Sequence, residues 1–117
     1  MADATIYHNP RCTKSRQAMQ VVAELGTDVE VVKYLDTPPD EATLRSIIAK
    51  LDEPSSDLVR REGWADLGIT TSDVATDDGV VAVLLAHPAL LQRPIVVKGE
   101  RAVIGRPTER VTELLSG

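Results

Sequence analysis

Between Thr5 and Tyr34 the chain reads strand, helix, strand, and that succession most narrows what it can fold into. Thr5 to His8 is a short apolar strand. Thr13 to Leu25 repeats apolar residues at helical spacing through Ala18, Met19, Val22 and Leu25 until Gly26 stops it. Val29 to Tyr34 is β-branched and apolar enough for a second strand. Strands joined through a helix form a parallel pair, and the crossover is expected to be right-handed.

The rest of the chain must complete a sheet around that unit. Asp36-Thr37-Pro38-Pro39-Asp40 breaks the chain, and a helix capped by Asp40 is expected from about Glu41 to Leu51, with Leu44, Ile47, Ile48 and Leu51 on one face. A shorter helix is expected around Asp57 to Arg61, irregular chain from Gly63 to Gly68, and an apolar helix from Val80 to His87 that Pro88 ends. After a turn at Ala89 to Gln92, Pro94 to Lys98 and Arg101 to Gly105 flank Gly99-Glu100 in a hairpin pattern, and Thr108 to Leu115 makes a terminal helix. The order β-α-β, helical insertion, β-β-α describes an α/β sandwich on a mixed sheet, which is the thioredoxin-like order. With 117 residues, 43% of them hydrophobic, one domain spanning residues 1–117 is expected. Such a fold calls for a cis-proline leading into its third strand, and Arg93-Pro94 falls there.

The single cysteine, Cys12, stands where the first strand turns into the first helix. Thiolate is the nucleophilic form, and a helix N-terminus with cationic neighbours pulls a cysteine pKa from about 8.5 into a range of roughly 3.5 to 7.5. Arg11, Lys14 and Arg16 are all within four residues, and free first-turn N–H groups suit an anion. Cys12-Thr13-Lys14-Ser15 has Cys-x-x-Cys spacing with serine in the second place, so the site is expected to work as a monothiol. One cysteine forms no internal disulfide, and any redox cycle must finish with a thiol from another molecule. Around it, His8 is a candidate to lower the thiol pKa or organise the loop, Asn9 to bond its own backbone, and Ser15 and Arg16 to donate to a substrate or to Cys12. Each also has a plain reading as a strand-end, turn or helix-surface residue.

The stretches Ile6-Tyr7-His8-Asn9-Pro10-x-Cys12-x-x-Ser15-Arg16, Tyr34-Leu35-x-Thr37-Pro38-Pro39, His87-Pro88, Arg93-Pro94-Ile95-Val96-Val97 and Arg106-Pro107 lie in the order and register of a known family. Over nearly its whole length the chain resembles the glutaredoxin-coupled arsenate reductases. That resemblance implies that Cys12 attacks arsenate, that a low-molecular-weight thiol such as glutathione attacks the adduct, and that glutaredoxin resolves the mixed disulfide. It also implies that Arg60, Arg93 and Arg106 bind the oxyanion. The chemistry fits: an oxyanion needs fixed donors, and the planar guanidinium supplies them in pairs. Arg93 and Arg106 each precede proline, which favours extended backbone, and both flank the hairpin. Arg60 has Arg61 beside it, and on a short helix only one of the two can point inward.

A net charge of -5 argues against nucleic acid, which needs a basic face. No stretch reads as a membrane span or signal peptide, so a cytoplasmic protein is expected. Histidine and cysteine are too few for a structural metal site, and no metal or bound cofactor is expected. Where the family often has glycine after its cysteine, this chain has Thr13, then Lys14, which makes the loop bulkier and more basic. Two related readings compete: a thiol-dependent reductase of another substrate, and a redox-inactive regulatory module that binds a protein partner. A low-molecular-weight phosphatase needs arginine six residues after the cysteine, and Ala18 stands there.

Overall fold

In a computed structural model, which describes residues 2–116, four strands form one mixed sheet in the order β2-β1-β3-β4. β1 (Ala4–His8) pairs in parallel with β2 (Val29–Lys33) and antiparallel with β3 (Ile95–Lys98), which pairs antiparallel with β4 (Arg101–Ile104). This is the expected thioredoxin-like arrangement of a parallel pair joined to a hairpin. Gly99 opens the hairpin turn at φ 59, a conformation that favours glycine.

Helix α1 (Thr13–Leu25) ends where expected, with Gly26 left-handed at φ 66 and its N–H returned to the last turn. α2 (Glu41–Lys50) starts on Asp40, whose carboxylate accepts from the Thr43 N–H at 2.8 Å. The insertion continues through a 3₁₀ turn (Ser55–Leu58), a single helical turn α3 (Trp64–Leu67) and α4 (Asp77–Ala86). α5 (Glu109–Ser116) closes the chain.

Two expectations need correction here. The helix anticipated at Asp57 to Arg61 is a 3₁₀ turn ending at Leu58, because Val59 leaves it to form a bridge with Leu91. The Arg60 N–H then donates to the Leu90 carbonyl at 2.7 Å, which commits this stretch to extended backbone. Arg60 and Arg61 are therefore not on a helix. The stretch Gly63 to Gly68, anticipated as irregular, holds α3 between two glycines of positive φ.

The sheet separates two apolar clusters. On one side Ala18 and Val22 of α1 pack with Val111 and Leu114 of α5 over Ile6 and Val96. On the other, Leu44, Ile47, Val80 and Leu84 of the insertion cover Ile95 and Ile104, with Tyr34 among them. All thirteen are under 9% exposed. At about 25 cal/mol per Å² of apolar surface removed from water, these two layers are the main stabilising term of the fold.

Candidate active site

The loop between β1 and α1 is built on Asn9 and Ser15. The Asn9 carbonyl accepts from the Cys12 N–H, and its side-chain Oδ1 accepts from the Arg11 N–H, both at 3.0 Å. This is the self-bonding turn anticipated for asparagine. Ser15, 0% exposed, takes the Asn9 N–H on Oγ at 3.0 Å and lies 2.9 Å from His8 Nδ1. Burial, and then the Lys33 charge, push the His8 pKa down and favour the neutral ring. A neutral His8 with Nδ1 free lets the Ser15 hydroxyl donate to it while accepting from Asn9. His8 thus orders the loop through Ser15, and its depressed pKa removes it as a cationic activator of the thiol.

Cys12 caps α1 in an extended conformation, φ -92 and ψ 125, with its side chain partly exposed. Burial pushes the thiol pKa up. The Ser15 N–H, the Arg93 guanidinium and the Lys14 N–H outweigh it and hold the thiol below its ordinary value. Arg106 adds a second cation, with Nη2 3.5 Å from Sγ and Nε donating to the Arg93 carbonyl at 2.8 Å.

Both arginines come from loops at the ends of the hairpin. Arg93-Pro94 is cis, as anticipated, and Arg106-Pro107 is cis as well. Between them Gly105 donates its N–H to the Pro94 carbonyl at 2.8 Å. A Cβ on Gly105 would fall 2.7 Å from Pro94 Cγ and 2.8 Å from Val111 Cγ2, so only glycine lets the two loops approach this closely.

The remaining candidates lie elsewhere. Arg60 lines a cleft of about 500 Å³ together with Arg106, Arg61, Arg110 and Gln92, and its Nη2 pairs with Glu62 at 2.9 Å. Arg106 alone among these also touches the sulfur. Arg61 stacks over Trp64, its guanidinium 5.0 Å from the ring centroid. Arg16 is exposed and reaches Thr13 Oγ1 at 3.3 Å rather than the thiol. Tyr34, not singled out from the sequence although it opens the Tyr34-Leu35-x-Thr37-Pro38-Pro39 stretch, interacts electrostatically with Arg93. Among the described residues, no group of three or more histidines, cysteines or acids is placed to hold a metal ion.

Fold and site together define a thioredoxin-like protein with one activated cysteine in a cationic setting. Such a site can attack an electrophile and attract oxyanions. The chain belongs to the ArsC family, whose model matches residues 7–114. An arsenate reductase of Neisseria meningitidis is 41% identical over 98% of this chain and 100% of its own length. An arsenate reductase of Escherichia coli is 38% identical over 98% of this chain and 82% of its own. The solved structure of an arsenate reductase from Vibrio cholerae superposes with a TM-score of 0.82 at 33% identity, over 96% of this chain and 97% of that one.

Proposed function

We propose that this protein reduces arsenate to arsenite with Cys12 as nucleophile and thiols from other molecules as reductant. The observation that carries this reading is the Cys12 sulfur, held toward thiolate, with Arg106 3.5 Å away and Arg93 on it as well.

Thiolate attacks arsenic and a water leaves, giving a Cys12 arseno-adduct. Charge grows on the arsenate oxygens during attack, and guanidinium groups already in place stabilise it without reorganisation. Arg93 and Arg106 are positioned for this, and Arg60 binds the outer face of the anion from the cleft it shares with Arg106. A low-molecular-weight thiol of the glutathione type attacks the adduct. Two sulfurs join as a mixed disulfide, the electron pair of an As–S bond passes to arsenic, As(V) becomes As(III), and arsenite leaves. A glutaredoxin-type thiol protein resolves the mixed disulfide and returns Cys12 to its thiol. The chain's single cysteine requires both electrons to come from outside. A lone working thiol suits a reducing compartment, and we place the protein in the cytoplasm.

The test is arsenite production by purified protein supplied with glutathione, glutaredoxin and an NADPH-recycling system, beside Cys12→Ser and parallel runs with other thiols. Turnover that disappears in Cys12→Ser supports the reading. Absence of turnover with every donor, or turnover unchanged in the variant, ends it.

A further inference from the structure

Tyr34 directly follows the last residue of β2 and is 0% exposed, packed in the core beneath the insertion. Its hydroxyl has no hydrogen-bond partner, and neither has the buried Nε of Arg93. The hydroxyl nonetheless lies close enough to the guanidinium to act on it both by charge and as a hydrogen-bond acceptor, although no hydrogen bond of full geometry is formed between them. Buried tyrosine hydroxyls are ordinarily paired, because an orphaned one forfeits its hydration with nothing in return. Here a donor without an acceptor and an oxygen without a donor belong to neighbouring side chains.

The topology explains how they meet. Lys33 pairs with His8, so Tyr34 emerges beside the end of β1, where the cysteine loop begins. On the other flank of β1 lies β3, whose first residue follows Arg93-Pro94. Tyr34 and Arg93 therefore stand on either side of the strand that delivers the nucleophile.

We propose that Tyr34 is a positioning residue for the nucleophile: its hydroxyl oxygen is the acceptor onto which Arg93 Nε–H closes when the Cys12 thiolate draws the guanidinium in. The tie braces the back of the guanidinium while its other nitrogens face the sulfur. Because it forms with the anion and not with the neutral thiol, it raises the fraction of Cys12 that is thiolate at a given pH. The other groups that act on the sulfur are the Arg106 guanidinium and the N–H groups of Lys14 and Ser15. Three carboxylates line the cleft: Glu62 is paired to Arg60 and Glu53 to Arg110, and Asp57 is the third.

The experiment is the pH dependence of iodoacetamide alkylation of Cys12 in the full chain, for wild type, Tyr34→Phe, Arg93→Lys and the double variant. It needs no arsenate, so it stands or falls separately from the proposed function. Tyr34→Phe is expected to raise the alkylation midpoint, lowering the thiolate fraction below that midpoint by about two- to tenfold, the effect of one net hydrogen bond. Arg93→Lys keeps the charge but has no Nε–H, and in that background Tyr34→Phe is expected to add nothing. Phenylalanine retains the ring and removes only an unpaired oxygen, so thermal unfolding should be unchanged or slightly later. An unmoved midpoint in Tyr34→Phe, or shifts that add in the double variant, would overturn the proposal.

Discussion

Arg106 and Arg60 line the same cleft, but different things hold them there. Arg106 is tied through Nε to a backbone carbonyl, in a loop that Gly105 and Pro94 lock to its neighbour. Arg60 comes from the helical insertion, and its guanidinium is paired to Glu62, a side chain 81% exposed. A backbone acceptor in a close-packed loop keeps its place, whereas an exposed carboxylate trades readily with solvent and ions. The cysteine side of the molecule is thus preorganised, and the insertion side is adjustable.

Replacing Arg106 by Ala should cost about 10²-fold or more in kcat/KM for arsenate, by analogy with the loss of a fixed transition-state donor. Arg60→Ala should cost about tenfold or less, chiefly in KM, since a loosely held cation contributes mostly to binding. Equal losses in steady-state kinetics would erase the distinction between the two sides. Gly105→Ala should destabilise by about 1–3 kcal/mol in denaturant titration, the ordinary cost of forcing atoms into a filled space, and should lower kcat as Arg106 moves with its loop. An alanine variant of wild-type stability would show that the loops are not locked.

A smaller effect concerns acid. The folded-state pKa of His8 lies below the ordinary histidine value of 6.5, through burial first and Lys33 second. The neutral ring is the form the fold favours, so its contribution is complete above about 6.5 and is lost as pH falls from there through the folded value. Unfolding midpoints measured from pH 8 down to 5 should show this slope, and His8→Gln should lack it. The smallest expected change is Glu62→Gln, which frees Arg60 and should lower KM for arsenate by about twofold. A rise in KM would mean that Glu62 aims Arg60 instead of competing for it.

What was legible in the sequence divides along the same line. The cysteine side is written in local signals: Gly26 ends α1, Asn9 makes its own turn, and Pro94 and Pro107 mark the loops that bring Arg93 and Arg106 to the sulfur. Local pattern alone puts Arg60 on a helix, because the interactions that extend its segment are remote in sequence, the Val59 bridge to Leu91 and the Arg60 N–H to Leu90. Nothing within a few residues of Arg60 announces them. Ser15 shows a second way in which sequence falls short. Its helical register permits either a surface or an inward position, and only the end of β1 packed against it turns it into the hub of the loop.

The bond from Arg106 Nε to the Arg93 carbonyl makes the dependence between the two arginines one-way. Any residue at position 93 still offers that carbonyl, so changing the Arg93 side chain leaves Arg106 aimed at the sulfur. Removing Arg106, by contrast, strips both its own charge and the donor that anchors the Arg93 backbone. Position 93 is therefore where this site can be retuned by substitution one step at a time, and position 106 is where it cannot.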